Sequence, residues 1–105
     1  KRGSSGALAY STAKAGLVQF TQTLSLEWAE YGVTVNSIAP GAFPDPENGD
    51  PEQIARSNET AKSQVPLGRV GRLREVGLLA LYLVSDAASY MTGETIYLDG
   101  GLSQR

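Results

Sequence analysis

The chain contains neither cysteine nor histidine. Without cysteine it can form no disulfide and no thiolate metal site, which fits a reducing, cytoplasmic setting. Without histidine, a His-dependent triad or a His-ligated zinc centre is excluded within these residues, and no metal site is expected. A charge excess of one sign is also lacking. Nine basic against eleven acidic side chains leave a net charge of −2, and no basic run marks a nucleic-acid footprint. No apolar run approaches the length of a membrane span, and Lys1-Arg2-Gly3-Ser4-Ser5 lacks the apolar core of a signal peptide. With 105 residues, 41% of them hydrophobic, the expectation is at most one small globular unit with no nucleic-acid or membrane partner.

What the chain does have is Tyr10-Ser11-Thr12-Ala13-Lys14. On a helix, positions four apart lie one above the other, so a phenol sits beside an ammonium. A free tyrosine titrates near ~10 and is a poor proton donor or acceptor at neutral pH. A neighbouring cation stabilises the phenolate and brings it towards general acid–base work. Taken alone, the pair fits better a surface helix with a half-buried ring and a solvated lysine. Its meaning depends on the rest of the chain.

Residues 1–6 are polar and Gly/Ser-rich and read as a loop leading into a helix from about Ala7 to Tyr31. In that helix Leu17, Phe20, Leu24, Trp28 and Tyr31 form one apolar stripe, and Gly32 follows as a stop. Val33 to Ala39 is short and β-branched, reading as a buried strand ended by Pro40-Gly41. All five prolines fall within residues 40–66, with five of the eleven acids. There Asp50-Pro51-Glu52-Gln53 predicts a helix start, with Asp50 as N-cap and a polar helix running to about Ser63. A second core helix is expected from Leu73 to about Ala88, with Leu73, Val76, Leu79, Ala80, Leu83 and Val84 inward and Gly77 closely packed. Thr95 to Leu98 reads as a second strand, closed by Asp99-Gly100-Gly101. Two strands joined by a helical crossover should be parallel, and parallel sheets need both faces covered. The order helix–strand–insertion–helix–strand therefore predicts an α/β chain that is one end of something larger.

These signals occur in a telling order. Tyr10-x-x-x-Lys14 is followed by Asn36-x-x-x-Pro40-Gly41 and by Pro66-Leu67-Gly68-Arg69-x-Gly71-Arg72. Ser85-Asp86, Thr92-Gly93 and Leu98-Asp99-Gly100-Gly101 complete it. Over essentially its whole length the chain resembles the C-terminal half of a short-chain dehydrogenase/reductase, of the single-domain rather than the extended form. The resemblance implies that residues 1–105 are the C-terminal half of one doubly wound, parallel-sheet (Rossmann-like) domain, with 41–66 as a substrate lid. It implies an NAD- or NADP-dependent oxidoreductase moving a hydride between nicotinamide and a small alcohol or ketone. Tyr10 would be the general acid/base. Lys14 would assist it and bond the nicotinamide ribose. Pro40 and Gly41 would pass near the nicotinamide, the N–H near Phe43 would reach its carboxamide, and Asn36 would be structural. A homo-oligomer, dimer or tetramer, is implied too.

Two departures from the family pattern stand out. Asp45 occupies a place where many members carry a threonine that helps hold the cofactor, so it is not expected to be a ligand. The family's catalytic serine lies further before the tyrosine than Ser4 and Ser5, and the Gly-rich phosphate-binding turn is missing. The remaining half is expected upstream or on a second polypeptide. The contrasting expectation is a truncated, non-catalytic fragment acting only in oligomerisation. A weaker alternative is a free-standing small fold, whose uncovered strands would aggregate or swap. The acidic insertion mildly disfavours highly anionic substrates.

Overall fold

The computed structural model of the chain describes the backbone of residues 4–104 and the side chains of residues 11–104. Helix α1 (Ser4–Trp28) continues into a 3-10 turn, Ala29–Tyr31, and Gly32 ends it in the left-handed region at φ 72°. Strand β1 (Ser37–Pro40) follows, then α2 (Pro51–Gln64) within the proline-rich insertion, α3 (Leu73–Leu83) and β2 (Thr95–Leu98). The strands pair in parallel, Ser37 opposite Thr95 and Pro40 opposite Leu98. Among the described residues no helix is long and apolar enough to cross a membrane.

Several boundaries differ from expectation, each for a local reason. Helix α1 begins at Ser4 rather than Ala7. Strand β1 is shorter than Val33–Ala39 because its partner is still turning at Thr92 and Gly93. There the Val35 N–H donates to Thr92 Oγ1 (2.9 Å) and the Gly93 N–H to the Val35 carbonyl (2.7 Å). Asn36 has the structural part expected of it. Its amide donates to the Met91 carbonyl (3.1 Å) and accepts from the Glu94 N–H (3.1 Å), tying β1 to the chain entering β2. Asp50 does stand at the N-cap of α2, but its side chain makes no cap hydrogen bond. Helix α3 stops at Leu83, where Ser85 turns its hydroxyl and its N–H onto the Tyr82 carbonyl.

Apart from the half-buried Leu24, the apolar stripe of α1 is not the face that meets the sheet. Leu17, Phe20, Trp28 and Tyr31 are 38%, 63%, 44% and 71% exposed, whereas Thr21 and Ser25 are buried. Thr21 Oγ1 donates to the Leu17 carbonyl (2.7 Å) and lies 3.1 Å from Ser37 Oγ on β1. Ser37 Oγ in turn is 2.9 Å from Thr95 Oγ1 on β2. Small hydroxyl residues let the helix approach closely while their polar atoms satisfy one another. On α3, Val76, Leu79 and Leu83 are half-buried as expected, but Leu73, Ala80 and Val84 are exposed, and the space around Gly77 is open. Among the described residues the buried hydrophobic ones are only Ala39, Ala61 and Ala88. The radius of gyration, 16.0 Å, exceeds the ~13 Å of a compact domain of this length. These elements therefore expose the apolar faces that a complete doubly wound sheet would cover.

Gly93 is where α1 and the turn before β2 come closest. Its φ is 80°, and a Cβ there would meet Ser25 Oγ at 2.8 Å. Gly93→Ala is expected to destabilise the full-length protein by about 1–3 kcal/mol in denaturant unfolding, from left-handed strain plus the clash. A midpoint equal to that of wild type would contradict this packing.

Candidate active site

The hydroxyl chain decides which side chains meet α1. Because Thr95 faces the helix through Ser37 and Thr21, strand alternation sends Tyr97 to that side too, and Ile96 and Leu98 to the other. Lys14, one helical turn beyond Tyr10, is half-buried, and its Nζ stands 4.8 Å from the centroid of the Tyr97 ring. An ammonium over an aromatic face is held by the ring quadrupole. Just past β2 lies Asp99. Burial pushes its carboxyl up, but bonds from Ser103 and from the Gly101 N–H, with the positive charge of Lys14, outweigh burial and hold it below the usual range. Its two oxygens accept from the N–H groups of Gly101 and Ser103, both at 3.0 Å.

Tyr10 shares α1 with Lys14, and its backbone position puts it one turn earlier on the same side. Its side chain lies outside the described residues. Pro40 is the last residue of β1, and the next N–H, of Gly41, donates to the Leu98 carbonyl (3.0 Å). A Cβ on Gly41 would sit 3.0 Å from Asp99 Cβ, so glycine eases the close approach of the two strand ends. Lys14, Gly41 and Asp99 thus gather at the C-terminal ends of parallel strands, where ligands of open α/β sheets bind.

Phe43 lays its ring on Gly71, whose absent side chain is where the ring lies. No described residue accepts from the Phe43 N–H, which leaves that donor open. Asp45 folds into its own turn. Bonds from the Glu47 N–H (3.0 Å) and the Asn48 amide (3.1 Å) hold its carboxyl below the usual range. It is occupied locally rather than aimed at a ligand.

Behind the sheet a cavity of about 120 Å³ is lined by Phe43, Val65, Leu98, Arg69, Glu75 and Leu102 among others. Its polar wall is the fork of Arg69 on Glu75, with Nη1–Oε1 at 3.1 Å and Nη2–Oε2 at 2.9 Å. The same carboxylate accepts from the Arg72 N–H (2.8 Å), capping α3. Tyr97, Asp99 and the Arg69–Glu75 pair were absent from the sequence reading of the site. Period-2 counting from Thr95 would have found the first two, whereas the fork depends on how the loop at 68–72 folds back.

Residues 1–103 match the family described as enoyl-(acyl carrier protein) reductase. The chain belongs to the short-chain dehydrogenase/reductase family. It is 44% identical over 94 residues to the NAD-dependent glycerol dehydrogenase of Listeria innocua, covering 90% of this chain and 37% of that protein. With the 3beta-hydroxysteroid dehydrogenase 1 of Eggerthella lenta it shares 40% identity over 94 residues, 90% of this chain and 36% of that one. A solved short-chain type dehydrogenase/reductase from Mycobacterium marinum superposes with a TM-score of 0.75 at 38% identity, covering 91% of this chain and 37% of its own. The fold is that of part of a Rossmann-like, doubly wound domain. The chain spans little more than a third of the length of these relatives.

Bonds from Arg69 and from the Arg72 N–H hold the Glu75 carboxyl at about 2, against an ordinary 4.5. A depressed carboxyl stabilises the fold fully above about pH 4.5, and that contribution is lost as pH falls towards 2. Glu75→Gln should therefore lower the unfolding midpoint at pH 7, with the gap to wild type closing between pH 4.5 and 2. A gap that stays constant with pH would contradict this.

Proposed function

We propose that this chain carries the catalytic half of an NAD(P)-dependent oxidoreductase acting on an alcohol or ketone. The observation that carries the reading is the placement of Lys14. It lies one turn after Tyr10, over the Tyr97 ring and within electrostatic reach of Asp99, beside the Gly41 turn at the strand ends. The naming of its relatives as dehydrogenases supports it.

The residues present suit a nicotinamide cofactor, NAD or NADP. Gly41 puts no side chain at the strand ends, the Phe43 N–H has no acceptor among the described residues, and Lys14 offers an ammonium for a ribose hydroxyl. When bound, the nicotinamide supplies or accepts the hydride. In the reducing direction the Tyr10 phenol gives its proton to the carbonyl oxygen as the carbon becomes an alcohol. In the oxidising direction the phenolate takes that proton back. Lys14 favours the phenolate electrostatically, and Tyr97 keeps the ammonium from swinging into solvent. Pro40 rigidifies the approach to Gly41. Residues 41–66 form the lid over the substrate, and 1–105 are the C-terminal half of one domain. The remaining strands, supplied from outside these residues, would cover the exposed faces of the sheet and α3. The exposed stripe of Leu17, Phe20, Trp28 and Tyr31 supports a homo-oligomer, and also the reading in which this chain only associates. Retained cofactor binding separates the two.

In the full-length protein, Tyr10→Phe should lower kcat by about 10²–10⁴-fold while nucleotide affinity stays near wild type. Full turnover by that variant, measured as nicotinamide absorbance, would remove Tyr10 from the mechanism. Tyr97→Leu should lower kcat by roughly 3- to 30-fold, while Tyr97→Phe, which keeps the ring, stays close to wild type. Equal losses in both variants would mean the ring does not hold Lys14.

A further inference from the structure

The insertion helix α2 carries different chemistry on its different sides. Gln53, Arg56, Ser57, Thr60, Ala61 and Gln64 recur at three- and four-residue steps and border a groove of about 510 Å³. Ala42, Val65 and Leu102 add apolar surface to it. The helix carboxylates are elsewhere. Glu52 and Glu59 do not line the groove, and Glu59 is 3.4 Å from Lys62 on the exposed side. The groove wall thus holds a single charge, the Arg56 guanidinium, which has no ion-pair partner among the described residues. An adjoining pocket, sharing Ala42, Gln53 and Ser57, is bordered instead by Asp45 and Asp50. The potential therefore runs from negative at that pocket to positive at Arg56.

The groove also joins the reaction end of the sheet. Ala42 follows Gly41, which rests on Asp99, and Asp99 feels the charge of Lys14. Ala42 is thus the wall through which the groove meets the chain leaving β1.

We infer that the substrate carries a carboxylate, a keto acid or the matching hydroxy acid, whose charged end is bound by Arg56 among Gln53, Ser57 and Thr60. This rests on the oxidoreductase reading above. A guanidinium takes a carboxylate through two parallel hydrogen bonds, and neutral hydroxyl and amide groups supply the rest. A doubly charged phosphate fits less well, because one cation faces it and Asp45 and Asp50 stand next door. The acid-rich composition of the insertion suggested the opposite, since a count does not register which side of the helix the acids occupy.

The test is steady-state kinetics of the full-length protein with 4-oxopentanoate and with its methyl ester, using NADH and NADPH. The acid should be favoured in kcat/KM by about 10- to 100-fold, the usual weight of a hydrogen bond to a charged group. Arg56→Gln should raise KM for the acid by a similar factor and leave the ester unchanged. Preference for the ester, or an equal effect of Arg56→Gln on both probes, would overturn the carboxylate assignment alone. Absence of turnover with both probes would overturn it as well, and failure to bind either reduced nucleotide would overturn the oxidoreductase reading with it.

Discussion

Three hydroxyls, on Thr21, Ser37 and Thr95, fasten α1 to both strands, and the placement of Lys14 follows from that contact. A larger apolar residue at position 21 would hold the helix off the sheet, and an unpaired polar one would leave a buried donor or acceptor without a partner. The hydroxyl chain avoids both and sets the phase of β2. With Thr95 facing the helix, Tyr97 must face it also, and the Tyr97 ring is what the Lys14 ammonium meets. A one-residue slip would present Ile96 and Leu98 to the lysine, since register exchanges the two faces of a strand.

Asp99 connects this contact to the far end of the strands. Its carboxylate caps the closing 3-10 turn, its backbone and Cβ receive Gly41, and its charge faces Lys14. One residue thereby couples the end of β2, the end of β1 and the helix bearing the Tyr–Lys pair. Glycine at 41 favours this, because a Cβ there would crowd Asp99 at about 3.0 Å. Asn36 does the corresponding work at the opposite end, satisfying one acceptor and one donor of the chain entering β2.

The parallel pairing, the element order and the Pro-Gly turn were legible because each rests on local chemistry: β-branched runs, ring constraint and glycine. The face of α1 was not. An apolar stripe at helical spacing is normally the buried one, yet here Thr21 and Ser25 are buried and Phe20 and Tyr31 are not. Periodicity identifies a hydrophobic face without saying what it packs on, and among the described residues nothing covers Phe20 or Tyr31. Val84 and Gly77 were misplaced for the same reason, since α3 makes no extended contact with the sheet here. The Lys14–Tyr97 contact joins residues far apart in sequence. It becomes readable only after the register is known.

Charge in the insertion illustrates the same limit more sharply. By composition residues 40–66 are acidic, with Asp45, Glu47, Asp50, Glu52 and Glu59 against Arg56 and Lys62. Asp45 is absorbed by its own turn and Glu59 by Lys62, while Glu52 lies off the groove. What a bound molecule meets along the groove face of α2 is Arg56 among neutral hydroxyl and amide groups. Net charge governs long-range steering, but recognition at contact distance depends on which helical face each charge occupies. A segment can therefore be acidic in sum and cationic on one of its faces.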